Sequence, residues 1–347
     1  MRNMWVLSVL LIAVAGMILM SLPPLAPAAA QTGTPMEIKP PLGLPPVPIP
    51  ADNPMTVEKV ELGKMLFFDK RLSKDKDISC ATCHLPEHGY AEPHAVSTGH
   101  KGQKGNRNAN PVINSQYATA LFWDGRAVSL EDQAGGPVEN PIEMGQDMNV
   151  VTKLLADVPE YKKRFMEVFG EAPTKDNITK AIAAFERTLL EGNSPFDKFQ
   201  AGDANAISED AQKGWELFNQ KLCSTCHTPP VFSNWGFYNS GVGTDKPNPD
   251  IGRMEITKLP SDKSAFRVPS LRGVEKTGPY FHDGSVESLE EAVKFMANGG
   301  KDNPNLHPLF RALKAQKTTD QEIQQLVAFL KSLTGEHPVV KEPELPE

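Results

Sequence analysis

Four stretches of the chain carry apolar residues on one face at helical spacing. Thr56 opens the first, in which Val57, Val60, Leu62 and Leu66 recur. Ile178, Ile182, Phe185 and Leu189 form the second, which ends near Gly192. Ser208 is placed to cap a third with Ala211, Trp215 and Phe218. Thr319 and Glu322 make a capping box for a fourth, where Ile323, Leu326, Val327 and Leu330 form the stripe and Gly335 stops it. Period-two alternation is scarce, and Gly and Pro clusters interrupt the middle of each half. The pattern therefore predicts a mainly α fold of two small helical domains joined around residues 200–207.

The halves repeat one another. Gly63-Lys64-Met65-Leu66-Phe67 leads to Cys80-Ala81-Thr82-Cys83-His84, and Gly214-Trp215-Glu216-Leu217-Phe218 leads to Cys223-Ser224-Thr225-Cys226-His227. A Gly-Xxx-Xxx-Leu-Phe helix followed by the same cysteine motif, twice, is duplication of a domain. The expected boundaries are 55–202 and 203–340, with a tail at 341–347. Ahead of them, 31–54 is an arm: eight prolines between Pro35 and Pro54 disfavour helix and suit an extended, polyproline-like course. Whether this arm hangs free or packs along the surface is open at this level.

Residues 1–30 have a different character. Arg2 precedes an apolar run from Met4 to Leu22, Pro23 and Pro24 break it, and Ala28-Ala29-Ala30 offers the small residues of a cleavage site. This predicts a signal peptide and a periplasmic mature chain. The rival is an uncleaved anchor, since the run approaches the roughly 17 to 25 residues that span a bilayer.

Composition narrows the function. Among 347 residues, 36 Lys and Arg against 43 Asp and Glu give a net charge of -7, so there is no basic field to hold nucleic acid. Four cysteines are too few for a disulfide scaffold in a chain of this length, and all four lie in the repeated motif.

In Cys-Xxx-Xxx-Cys-His, the two thiols can form thioethers with the vinyl groups of a haem while the adjacent histidine reaches its iron. Zinc ligation fits poorly, because the two pairs are far apart in sequence and each carries a histidine. A redox dithiol would sit at a strand-to-helix junction, and no such alternation surrounds either motif. Disulfides would leave the histidines unexplained. The reading is two covalently bound haem c groups, on Cys80 and Cys83 with His84, and on Cys223 and Cys226 with His227. The iron's other face needs a ligand, and its identity tunes the potential. Candidates are His88, His94 and His100 in the first half, with His88 held too near the proximal side, and Met254 and Met296 in the second.

These motifs closely resemble the bacterial di-haem cytochrome c peroxidases over nearly the whole chain after the leader. Gly99-His100-Lys101-Gly102-Gln103-Lys104-Gly105 resembles the family's loop bearing a second histidine. Phe122-Trp123-Asp124-Gly125-Arg126, Gln133 and Asn140-Pro141-Ile142-Glu143-Met144-Gly145 resemble its inter-haem tryptophan and its active-site glutamine and glutamate. Phe266-Arg267-Val268-Pro269-Ser270-Leu271-Arg272, Thr277-Gly278-Pro279-Tyr280-Phe281-His282-Asp283-Gly284 and Met296 fit its electron-transfer half.

The resemblance implies two c-type cytochrome domains in tandem, with the active site and a calcium site near their interface. Peroxide reacts at the first haem, whose second histidine is then His100. The second haem, with His227 and Met296, takes in electrons from a small c-type cytochrome or cupredoxin. Glu143 is the proton-moving group, Gln133 orients peroxide or water, and Trp123 assists electron transfer. Calcium is implied at Asn108 (side chain) and at Thr277 and Pro279 (carbonyls), which as oxygen donors suit that ion. The resemblance further implies a homodimer, and release of His100 when the second haem is reduced with calcium bound. Trp215 and Trp235 read as packing residues, His282 as an interface residue, and His307 and His337 as solvated. Two other functions compete: a di-haem electron carrier without substrate chemistry, and a di-haem oxidase of the methylamine-utilisation type. The oxidase has tyrosine where this chain has Met296, and a carrier has no use for an acid beside a ligand that can leave.

Overall fold

The computed structural model describes residues 33–347, and the apolar run read as an export signal or anchor lies outside them. The helices of the first half are α1 (Val57–Phe68), the single turn α2 (Cys80–Cys83), α3 (Leu130–Glu139), α4 (Met148–Asp157), α5 (Pro159–Phe169) and α6 (Lys175–Glu186). After α7 (Pro195–Gln200) come α8 (Glu209–Gln220), the turn α9 (Cys223–Cys226), α10 (Met254–Thr257), α11 (Leu289–Ala297), α12 (Pro308–Gln316) and α13 (Asp320–Ser332). Two-residue strands β1 (Phe237–Tyr238) and β2 (Phe266–Arg267) pair antiparallel, Phe237 opposite Arg267. The mainly helical expectation holds. So do the caps: the hydroxyls of Thr56 and Ser208 accept from Lys59 N and Ala211 N, and Thr319 with Glu322 closes a capping box.

The repeat has a packing reason. In each half the helix before the cysteine motif crosses the closing helix, α1 on α6 and α8 on α13, and the glycine of the shared motif lies at the crossing. A Cβ on Gly63 would stand 1.8 Å from the Ala181 carbonyl oxygen, and one on Gly214 2.0 Å from that of Gln325. Only glycine lets the backbones approach this closely. The Phe of each motif then enters a core: Phe67 packs on Tyr90 and Phe185, and Phe218 on Trp215, Phe232 and Phe329. Trp215 is thus a packing residue, as expected. Phe196 of α7 joins this second cluster, so the helix just before the join contributes to the second core.

Both ends of the described segment pack on the rest. The Pro-rich arm runs along the surface: Met36 and Ile38 pack on the first core, Pro45 O accepts from Tyr117 Oη at 2.8 Å, and Gly43 O accepts from Arg272 Nη2 at 2.8 Å. Arg272 also forms a buried pair with Asp197 at 2.9 Å. The tail returns to the first half, where Leu345 packs on its core and Pro346 O accepts from Arg71. His337 is not solvated as its sequence context suggested. Its side chain is buried 3.2 Å from Glu191 Oε2, with Nε2 3.1 Å from Pro86 O, because the tail folds back over that site. His307 is half-buried and its ring caps α12. Among the described residues, no helix is long and apolar enough to cross a membrane.

Candidate active site

A cavity of about 450 Å³ opens beside α2 and gathers most of the residues singled out in the first half: Cys80, Cys83, His84, Asn108, Trp123, Gln133 and Glu143. The two thiols lie at the ends of a single helical turn, which puts both sulfurs and the following imidazole on one wall. None of the four cysteines is paired in a disulfide. Burial pushes their pKa values up, to about 11 for Cys83 and Cys223, so the thiols are neutral rather than thiolate.

The histidines are prepared as ligands. Burial lowers the pKa of both, that of His227 to about 4, which keeps the imidazoles neutral. His84 Nδ1 lies 3.1 Å from Tyr90 O, and His227 Nδ1 3.2 Å from Phe232 O. A carbonyl at Nδ1 fixes the tautomer and leaves Nε2 for a metal. Donor set, neutral thiols and second-layer carbonyls all fit one haem c per half.

Glu143 sits on the loop after α3, half-buried on the cavity wall. Burial raises its pKa, opposed by the nearby Arg126 charge and by Asn140 Nδ2, which donates to Oε1 at 2.8 Å. Gln133 reaches the cavity from α3, whose N-terminus Ser129 caps. Trp123 is buried with Nε1 donating to Asn108 O at 2.8 Å, its ring edge-on to His282.

His100 is placed elsewhere. Its ring packs against Gly145, with Nδ1 2.8 Å from Asp75 Oδ2 at ion-pair distance, and it is not among the residues lining the cavity. Its loop is nevertheless docked on the segment carrying Glu143: His100 N donates to Glu143 O at 2.7 Å and Gln103 Nε2 to Pro141 O at 3.1 Å. Lys101 and Gly102 both take positive φ there.

In the second half, Met296 is half-buried on α11, whose Leu289, Val293 and Ala297 fill the core beside it. Asn108 spends its amide nitrogen on His94 O at 3.0 Å, leaving the oxygen end for a cation. No backbone N–H among the described residues is directed at the carbonyls of Thr277 or Pro279, and Asn108 N reaches the same second-half loop at His282 O, 2.7 Å. These are oxygen donors of the kind calcium takes.

Three cavity residues escaped the sequence reading. Glu186 is buried near Cys80, yet its position four residues after Ile182 puts an acid on the apolar stripe of α6, which is a readable signal. Trp235, assigned to packing, lines the cavity and lies under the Arg267 guanidinium at 5.3 Å, with its backbone at positive φ. Arg267 itself was only part of a motif.

The family model for di-haem cytochrome c peroxidase matches residues 57–205, and that for cytochrome c matches 211–334. The chain is 42% identical to the cytochrome c551 peroxidase of Nitrosomonas europaea, over 86% of each chain. It is 40% identical to the methylamine utilization protein MauG of Methylorubrum extorquens, over 86% of this chain and 85% of that one. Among solved structures, a MauG-like protein associated with microbial copper homeostasis superposes with a TM-score of 0.76 at 33% identity, over 85% of this chain and 95% of that one. The chain belongs to the di-haem cytochrome c peroxidase family, as two tandem cytochrome-c-type domains.

Proposed function

We propose that this protein reduces hydrogen peroxide to two molecules of water in the periplasm, with two electrons from a small c-type cytochrome or cupredoxin. The observation that carries the reading is Glu143, a carboxyl with raised pKa on the wall shared with Cys80, Cys83, His84 and Gln133. The haem on Cys80 and Cys83 would supply the iron at which the O–O bond is reduced, and that on Cys223 and Cys226, with His227 and Met296, the entry for electrons. Glu143 takes a proton from the inner peroxide oxygen and returns it to the leaving one, and a raised pKa suits that exchange near neutrality. Gln133 orients peroxide or water, and Trp123, held by Asn108, assists electron transfer between the halves. Calcium at Asn108, Thr277 and Pro279 would tie the loop around His282 to the first half.

His100 supports a switch, because its glycine-rich loop is hydrogen-bonded to the Glu143 segment at only two points, His100 N to Glu143 O and Gln103 Nε2 to Pro141 O. In the resting enzyme His100 would instead be held at the first haem iron, and reduction of the second haem would free it to the place beside Asp75 that it occupies here. His100→Gly should therefore turn over peroxide without prior reduction, and a variant still silent until reduced would remove the switch. The reading also carries a homodimer in solution.

Identity to a MauG protein is nearly equal to that with a peroxidase, so a tryptophan-modifying oxidase is the second reading. Met296, where that type carries tyrosine, favours the peroxidase. Glu143→Gln tests the first: a loss of about 10²–10⁴ in peroxide turnover supports the carboxyl as the proton carrier. Unchanged turnover would sink that role.

A further inference from the structure

Arg267, at the end of β2, is buried at 6% exposure and lines the first-half cavity although it belongs to the second half. Its partners are neutral. Nε donates to Phe122 O at 3.1 Å and Nη2 to Asn110 Oδ1 at 3.0 Å, and no carboxylate lies at ion-pair distance among the described residues. The other arginines on the cavity wall are compensated: Arg107 by Asp124 and Asp250, Arg126 by Asp124. Burial alone pulls the Arg267 guanidinium down to about 10, with no counter-charge opposing it. A buried, unpaired cation facing a cavity calls for an anion in that cavity.

The lining beside Cys80 has a different character. Glu186 is buried near Cys80, raises that thiol's pKa through its charge, and leaves Oε2 without a hydrogen-bond partner. A propionate placed there would meet an acidic side chain rather than a cation. A haem is polar in the same sense, with vinyl groups on one edge and two propionate carboxylates on the other. Cys80 and Cys83 fix the vinyl edge, so the acids must point away from them.

We propose that Arg267, supplied by the second half, binds a propionate carboxylate of the haem held in the first. The proposal rests on haem occupying this cavity and not on peroxide turnover. It gives the segment a further consequence. Asn110, which accepts from Arg267, offers its backbone to the His84 ring, and Pro269, two residues after Arg267, offers its carbonyl to the His227 ring. One short stretch of β2 and its continuation thus meets the surroundings of both proximal histidines.

The test uses the di-haem protein with Arg267→Gln and Arg267→Lys, read by redox titration of each haem and by the propionate-bending band in resonance Raman spectra. Loss of the cation in Arg267→Gln should lower the midpoint potential of the first haem and leave that of the second in place. Arg267→Lys should retain most of the potential while shifting the propionate band of the first haem, because a compact ammonium replaces the planar fork. If the glutamine variant fails to mature, the lysine variant's band decides alone. An unmoved band, or a potential shift confined to the second haem, overturns the assignment. A chain carrying one haem, on Cys223 and Cys226 only, would instead remove the haem reading of this cavity.

Discussion

Replacing Glu186 with glutamine should stabilise the protein, and by an amount that grows with pH. The Glu186 side chain is 4% exposed, and burial pushes its pKa up to about 8, with the Arg187 charge opposing and Glu131 adding to the rise. In the unfolded chain the same group titrates near 4.5. Between these values the folded protein holds a proton that the unfolded chain has released. The stability of the neutral acid is therefore complete below pH 4.5 and is lost as pH rises toward 8. Each unit is worth about 1.4 kcal/mol, so the wild type has given up roughly 3 kcal/mol at pH 7 and about 5 kcal/mol above pH 8. Glutamine keeps the shape and has no proton to hold. Denaturant unfolding of wild type and Glu186→Gln, both haem-loaded, should give a gap under about 1 kcal/mol at pH 5 and several kcal/mol at pH 8. An equal gap at both pH values would refute the held proton.

Other outcomes follow from the same contacts. Gly63→Ala and Gly214→Ala force a methyl into a carbonyl oxygen at each helix crossing and should cost about 1–3 kcal/mol or more in denaturant unfolding; no loss would mean the helices part freely. Arg272→Met leaves Asp197 buried and unpaired and unlatches Gly43, so it should cost about 3–5 kcal/mol and expose residues 41–45 to proteolysis. If Glu143 acts as a base, the acid limb of the peroxide kcat/KM profile lies above the ordinary carboxylate range, and Glu143→Gln abolishes the limb; a limb that persists assigns it to another group.

The helices, their caps and the duplication were legible because each rests on local rules: a 3.6-residue stripe, a capping hydroxyl, a repeated glycine. The haem motifs were legible because their chemistry is contiguous in sequence. The cavity was not, since α3, the Glu143 loop and β2 reach it from positions far apart, and only the resemblance brought Glu143 out from among 43 acidic residues. Glu186 and Arg267 show the limit most clearly. Each matters because it has no ion-pair partner among the described residues, and a missing partner is a property of three-dimensional surroundings. His337 failed for the same reason, its burial being made by a tail that folds back across the first half.

The Glu143 cavity and the two haem sites are together proposed to make a peroxide-reducing enzyme. The direct measurement is oxidation of a reduced small c-type cytochrome by the di-haem protein, with peroxide added before and after reduction of the second haem in the presence of calcium. Turnover is expected after reduction, with two cytochromes oxidised for each peroxide consumed. A protein that exchanges electrons with the cytochrome yet consumes no peroxide in either state would contradict it.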